Sequence, residues 1–370
     1  MPKNSSLHIA NKAKQDEFYT QWSDIKKEVQ AYIEYNPDVF RGKTILCPCD
    51  DPEWSNFTKF FALHFVEYGL KKFISTSYAV ESKVNMEYYQ ASFFEEQSPI
   101  FDEKKTRAKG KIFILDSEDV NHDGKIDIED LQWNYMDGDG DFRSKEVEEF
   151  RNEADVIITN PPFSLFREFL NWIIEDNKRF LIISNMNAIT YKEVFPLIKN
   201  NRMWMGLGFG RSFQGFIVPE SYPLNGTEAR IDKDGNRIVS TNNTIWLTNI
   251  EHGRRHQPLH LMTMADNLKH SKHKKVKEKL AYDKYDNYDA IEIPFTDAIP
   301  SDYQGVMGVP ISFLYKYCPE QFEIIKFRKG DDGKDLSING KCPYFRILIK
   351  NKKCNWFCEG RKDEQTNRTA

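Results

Sequence analysis

Short apolar runs recur along the first half of the chain, each bounded by charged or turn-forming positions. Thr44 to Cys47, Lys72 to Thr76, Lys111 to Leu115, Ala154 to Thr159 and Arg179 to Ser184 have the length and β-branched content of buried strands. Stretches with helical spacing lie between several of them. In the clearest, Trp54, Phe57, Phe60, Phe61, His64, Phe65 and Tyr68 form an aromatic stripe, which reads as a core face, so His64 is assigned no chemistry. Strands alternating with helices predict an α/β fold with a mostly parallel sheet covered on both faces.

After Ser184 the pattern loosens. Gly206, Gly208, Gly210 and Gly215 precede a strand-like Thr244 to Thr248, and because the glycine run opens no clear helix it reads as close backbone packing, not a phosphate cradle. Two further apolar stretches, Phe322 to Phe327 and Pro343 to Ile349, follow a polar, basic segment. They place a smaller region at 251–370 after a first domain at 1–250. The 370 residues, 40% hydrophobic, suffice for a substantial core.

The most informative local feature follows the strand at Ala154 to Thr159: Asn160-Pro161-Pro162-Phe163. In an open α/β sheet the ligand crevice lies beyond the carboxyl ends of the strands, where this tetrapeptide falls. Its groups suit methylation of a planar amine, whose lone pair is delocalised. The Asn160 side-chain oxygen and the Pro161 carbonyl can each accept one N–H, which favours a pyramidal nitrogen with its lone pair aimed at a methyl donor. Each proline fixes its own φ and biases the preceding residue towards extended conformations, so the acceptors are held in advance. Phe163 offers a ring on which a base can stack. The alternative is a plain strand-ending turn.

Composition narrows the setting. There is no run of 18 or more apolar residues, and Met1-Pro2-Lys3-Asn4-Ser5-Ser6 is followed by no apolar stretch, so the expectation is a cytoplasmic protein with no membrane partner. Of the six cysteines, the close pairs Cys47/Cys49 and Cys354/Cys358 lack the usual two-residue spacer, and read as reduced thiols, not a zinc site. A net charge of −4 gives no global sign of nucleic-acid binding. A local cluster does exist: from Arg254, Arg255 and His256 through Lys269, Lys272, Lys274, Lys275, Lys277 and Lys279 the acids are Asp266 and Glu278 alone. It reads equally as a phosphate-contacting surface and as a solvated linker.

Many separate segments resemble one family in one order. They include Asp16-Glu17-Phe18-Tyr19-Thr20-Gln21, Cys49-Asp50-Asp51-Pro52, Ser55-Asn56-Phe57, Gly140-Asp141-Phe142-Arg143-Ser144, Thr159 to Glu168 around the tetrapeptide, and Ile189 to Phe195. Beyond these lie Gly215 to Glu220, Gly226 to Asp232 and Ser337 to Arg346. Over almost its whole length the chain resembles the EcoRI-type adenine-specific DNA methyltransferases. The resemblance implies a Rossmann-like sheet that uses S-adenosylmethionine, with a smaller C-terminal DNA-recognition region. Its product would be N6-methyladenine in a short site of double-stranded DNA, as in restriction–modification, made by turning the base out of the duplex. It also implies Asn160, Pro161, Pro162 and Phe163 as the catalytic residues, and Phe18, Tyr19 and Thr20 as a segment closing over the donor. Cys49 and Asp50 would lie in the loop after the first strand, and Asp141 beside Phe142 would accept the amino group of the donor's adenine. The loop departs from most methyltransferases in having Asp51-Pro52-Glu53-Trp54 in place of a Gly-x-Gly turn. The second strand ends in Ser75-Thr76-Ser77-Tyr78 without an acid, which leaves the ribose to Asp50 or another carboxylate. Arg254, Arg255, Lys272, Lys274 and Lys275 become the candidate DNA contacts. Tetrapeptides of this kind also serve RNA and protein glutamine, and a silent DNA-binding protein could keep the fold; both remain alternatives.

One segment lies outside this scheme. Asp119-Val120-Asn121-His122-Asp123-Gly124-Lys125-Ile126-Asp127-Ile128-Glu129-Asp130 has the spacing of a calcium loop, with Asp119, Asn121, Asp123, Asp127 and Asp130 as ligands. Calcium is thus a second expected cofactor, held in an insertion at 119–141; an Asp- and Gly-rich surface turn is the other reading.

Overall fold

The computed structural model describes residues 19–352, except 53–54, 80–99, 117–132, 210–211, 219–223, 225–228, 234, 241–242, 278, 329–334 and 343–344. The chain divides into two units, Met1–Ala188 with Met205–His252, and Ile189–Trp204 with Gly253–Ala370.

The first unit contains, in order, β1 (Tyr19–Thr20), α1 (Trp22–Tyr35), β2 (Thr44–Cys47), α2 (Asn56–Leu63), β3 (Lys72–Thr76), α3 (Glu103–Ala108), β4 (Lys111–Leu115) and β5 (Trp133–Tyr135). There follow α4 (Lys145–Glu153), β6 (Val156–Thr159), α5 (Phe166–Glu175), β7 (Arg179–Asn185), β8 (Trp204–Phe209), β9 (Phe216–Ile217), β10 (Ala229–Ile231), β11 (Arg237–Val239) and β12 (Thr244–Thr248). Eight strands form one sheet in the order β5-β4-β3-β2-β6-β7-β12-β8, and four short ones a second in the order β1-β9-β11-β10.

At the centre of the large sheet, β3, β2, β6 and β7 pair in parallel. The residues of β2 and β6 are all buried, as strands covered on both faces require. The flanks depart from the expected mostly parallel arrangement: β4 runs antiparallel to β3, β5 to β4, and β12 to β7. The physical reason shows in β4, where Lys111, Phe113 and Leu115 are buried but Ile114 is exposed. An antiparallel flank tolerates one wetted face; a parallel strand seldom does.

Helix α2 carries the aromatic stripe. Ser55 caps it by accepting from the Phe57 amide at 3.0 Å, while Phe57, Phe60, Phe61 and Phe65 are buried. Phe61 lies 5.9 Å from Phe73 of β3 and Phe57 5.9 Å from Trp246 of β12. His64 belongs to the same stack, 4.4 Å from Phe60 and 5.0 Å from Tyr68, with Nδ1 2.8 Å from the Phe60 carbonyl. Trp54 lies outside the described residues.

The glycines of β8 make room for α1. The buried Glu28 carboxylate accepts from the amides of Leu207 at 2.8 Å and Gly208 at 2.6 Å, and from the Tyr32 hydroxyl at 2.9 Å. This is the close backbone packing that the glycine spacing suggests.

The second unit contains α6 (Phe195–Lys199), α7 (Met264–His270), α8 (Lys274–Lys277), β13 (Ala290–Glu292), β14 (Val306–Pro310), β15 (Phe322–Arg328) and β16 (Arg346–Asn351). Its sheet runs β13-β14-β16-β15, parallel only between the first two. Inside it, Glu292 is buried and accepts from the Arg346 guanidinium at 2.6 to 3.0 Å and from the Tyr285 hydroxyl, so a buried charge meets its partner. The apolar pattern of the sequence carries no sign that Ile189–Trp204 joins this unit. Among the described residues no helix is long and apolar enough to cross a membrane.

A methyl group at Gly208 would meet Trp246 at 2.7 Å and the Glu28 carboxylate at 3.4 Å. Gly208→Ala is therefore expected to lower stability by about 1–3 kcal/mol in urea unfolding; an unchanged midpoint would show that α1 and β12 yield freely at this point.

Candidate active site

The tetrapeptide begins where β6 ends. Neither proline can donate to a strand ladder, so pairing stops at Thr159. Pro161 is buried, and Pro162 at φ −60° and ψ 120° turns the chain into the single helical turn Phe163–Leu165 ahead of α5.

What fixes this end of β6 is Asp50, on the loop after β2. Its Oδ2 accepts from the Thr159 hydroxyl at 2.5 Å and its Oδ1 from the Ser55 hydroxyl at 2.7 Å. Its amide donates to the Thr76 carbonyl at 3.0 Å, and its carbonyl accepts from the Ser75 hydroxyl at 2.7 Å. One buried residue thus ties the ends of β2, β3 and β6 to the cap of α2. Burial pushes the Asp50 carboxyl up to about 7, while the hydrogen bonds from Thr159 and Ser55 pull it down. Both oxygens are engaged inside the fold, so Asp50 ties the strand ends together. The neighbouring Cys49 thiol is raised by burial first and by the Asp50 and Asp141 charges, with a hydrogen bond to Thr159 acting the other way.

Asp141 follows a backbone stretch pressed against its neighbours. Gly140 sits at φ +79°, a Cβ there would collide with the Ser77 carbonyl, and Ala79 donates to the Asp139 carbonyl at 2.7 Å. Arg143 grips the carboxylate through Nε at 2.9 Å, Nη2 at 2.6 Å and its amide at 2.8 Å, and reaches Glu168 of α5 at 3.0 Å. Burial works to raise the Asp141 carboxyl, but Arg143 outweighs it and holds the group below the usual carboxylate range. Asp141 is therefore an ionised acceptor. Phe142 is buried, edge-on to Phe169 at 5.1 Å and Trp172 at 5.7 Å. It anchors the turn on α5 and offers no open ring face to a ligand.

Tyr19 and Thr20 pair with Ile217 and Phe216 respectively, and the Thr20 carbonyl accepts from Asn56 at 2.8 Å. Phe216 in turn lies edge-on to Phe163 at 6.1 Å, with Phe213 4.9 Å beyond. The N-terminal strand and the Asn160–Phe163 tetrapeptide are thereby brought together through Phe216, a contact that no sequence signal announces. The Thr20 hydroxyl is buried and has no partner among the described residues. A buried hydroxyl without a partner fits a ligand's polar group, as on a donor that carries hydroxyls and an amine. Phe18 lies outside the described residues.

In the second unit the basic segment is folded. Thr263 caps α7 by accepting from the Asp266 amide at 3.1 Å, and Val276 of α8 is buried; a loose linker would do neither. Lys274 and Lys275 are exposed, Lys272 pairs with Asp297 at 2.7 Å, and Arg254 lies over the Tyr315 ring at 4.4 Å. Arg255 is different: only 7% exposed, it stacks on Trp204 at 3.8 Å and donates to Asn201 at 2.9 Å. The indole face and the Asn201 oxygen hold its guanidinium inside. The calcium-like loop, with Asp119, Asn121, Asp123, Asp127 and Asp130, lies outside the described residues. Among the described residues no cluster of three or more His, Cys, Asp or Glu is placed to hold a metal.

A family profile described as "Adenine-specific methyltransferase EcoRI" matches residues 6–352. The chain is 50% identical over 350 residues to the Type II methyltransferase M.EcoRI of Escherichia coli, covering 95% of this chain and 97% of the relative. It is 30% identical to the Type II methyltransferase M.MpnI of Mycoplasma pneumoniae and 31% to M.MgeORF184P of Mycoplasma genitalium, each over 93% of this chain and 97% and 98% of the relative. No solved structure matches the chain.

Asp50 supplies a pH test. A carboxyl raised from 3.8 to about 7 binds its proton more tightly folded than unfolded, so its contribution to stability is full below pH 4 and is lost as pH rises through about 7. The wild type should therefore lose stability relative to Asp50→Asn between pH 5 and pH 8. Parallel melting curves for the two proteins across that range would contradict it.

Proposed function

The chain belongs to the EcoRI family of adenine-specific methyltransferases, and from that premise we propose that it transfers a methyl group to N6 of an adenine turned out of double-stranded DNA, with Asn160 and Pro161 aligning the amine. The observation that carries the proposal is Asn160-Pro161-Pro162-Phe163 at the carboxyl end of β6, tied at Thr159 to the buried Asp50 and faced by Phe216. Methyltransferases of this class use S-adenosylmethionine, which supplies a methyl on a positively charged sulfur. The strand order β3-β2-β6-β7, with antiparallel β12 between β7 and β8, supports a Rossmann-like methyltransferase sheet.

In this reading Asn160 and the Pro161 carbonyl accept the two N–H groups of the amine, so its lone pair leaves conjugation and forms the bond to the methyl carbon as the carbon–sulfur bond breaks. Phe163 carries the base on its ring. The methylated amine then sheds a proton to water. Alignment supplies most of the acceleration, on the order of 7–11 kcal/mol for well-oriented partners. Thr20 and Asp141 hold the donor, and Tyr19 lies in the segment that closes over it. Cys49 lies with Asp50 in the loop after β2.

The second unit serves as the duplex-recognition region, with Arg254, Lys272, Lys274 and Lys275 meeting phosphates and Arg255 bracing the surface from within. Replacing Lys274 and Lys275 together by Ala should reduce the slope of log affinity against log salt by about 2, whereas Arg255→Ala should lower stability and leave the slope in place. A slope unchanged in the double variant would remove α8 from the interface.

The reaction is tested by transfer of labelled methyl from S-adenosylmethionine to mixed-sequence duplex DNA with nucleoside analysis. The wild type should yield N6-methyladenine and Asn160→Ala roughly a hundredfold less. Label appearing in RNA or protein in place of DNA would overturn the proposal.

A further inference from the structure

The short segment Phe213–Ile217 sets the Phe216 ring against Phe163, with Phe213 packed behind Phe216, yet only two of its residues belong to a strand. Its position comes from the start of α1. Asp24, in the first turn, is 5% exposed, and its Oδ2 accepts from the Gln214 amide at 2.9 Å. Gln21 donates from Nε2 to the Gly215 carbonyl at 3.0 Å. The next residues along, Phe216 and Ile217, pair with Thr20 and Tyr19. On the other side, the Gln214 carbonyl accepts from Arg230 at 2.7 Å and Ser240 at 3.1 Å. Gly215 sits at φ +104°, and a Cβ there would meet Ser240 and Ile238. The side chains of Asp24, Gln21, Arg230 and Ser240 thus hold the backbone of residues 214 and 215 from both sides.

Resting on the methyl-transfer reading, we propose that Asp24, with Gln21, is a positioning residue for the reaction: it holds Phe216, backed by Phe213, against Phe163 and so fixes the ring that carries the acceptor base. Asp24 touches neither donor nor base. A carboxylate taken out of water to hold one backbone amide is a costly fastening; burial lifts it to about 6, while the Gln214 amide and Lys27 pull it down. A buried carboxylate of this kind, one contact removed from a reactive site, is where function tolerates such a cost. If the hydrogen bond from the Gln214 amide is lost, the Phe216 ring shifts and the acceptor side loosens, while Asp141 keeps its own contacts with Arg143.

The test uses the full chain as wild type, Asp24→Ala and Asp24→Asn, since Asn keeps an oxygen able to accept from Gln214. Hydrogen exchange at the amides of 213–217 should speed up about tenfold or more in Asp24→Ala and stay near wild type in Asp24→Asn. In methyl transfer, kcat should fall about tenfold or more in Asp24→Ala with KM for S-adenosylmethionine within about threefold, and Asp24→Asn should restore kcat to within about threefold. Lost protection with kcat intact overturns the proposal, as does an equal loss of kcat in both variants or an effect confined to the donor KM. Absence of DNA methylation by the wild type would contradict the functional reading itself; the exchange measurement then decides alone whether Asp24 fastens the segment.

Discussion

The arrangement of the site depends on one hydrogen-bonded knot, the buried Asp50 with the hydroxyls of Thr159 and Ser55. Parallel strands are joined only through long crossovers, so their carboxyl ends have no turn to hold them in register. Here a single carboxylate does so, linking the loop after β2 with the end of β6 and with the cap of α2, while its backbone bonds to β3. Isolation of a charge from water is unfavourable, and the knot persists because donors reach both oxygens. The two prolines then extend that rigidity one step further, from Thr159 to the groups that would meet an amine.

How far the chain could be read from its sequence varied with the range of the forces involved. The buried strands were legible because burial on both faces leaves a continuous apolar run, and the aromatic stripe because α2 presents Phe57, Phe60 and Phe61 to the core. The tetrapeptide was legible because proline and asparagine act locally on their own backbone. Strand direction was not, since β12 is as fully buried in its antiparallel pairing as the parallel β2 and β6 are. Nor were long-range partnerships. Phe216 meets Phe163 through β9, and Asp24 meets Gln214, across separations that no periodicity records. Arg255 shows the limit of reading charge alone, because it looks like its neighbour Arg254 until Trp204 and Asn201 enclose it.

Two kinds of work are thus separated along the chain. The first unit gathers its neutral and acidic groups, Thr20, Asn160 and Asp141, at strand ends and turns, where donors of hydrogen bonds can be met. The second unit carries a local cluster of cations, with Lys274 and Lys275 exposed on α8. The overall charge of −4 conceals this division, and local clustering is what phosphate contact requires.

The most direct test of the account is the kinetics of Thr159→Val, which keeps the shape of a fully buried residue and removes the hydroxyl that reaches Asp50. With folding and S-adenosylmethionine binding checked in the same preparation, the account predicts that kcat for methyl transfer falls at least about tenfold, through loss of alignment at Asn160. A folded, donor-binding Thr159→Val protein with wild-type kcat would contradict it, and would show that the prolines alone hold the tetrapeptide in place.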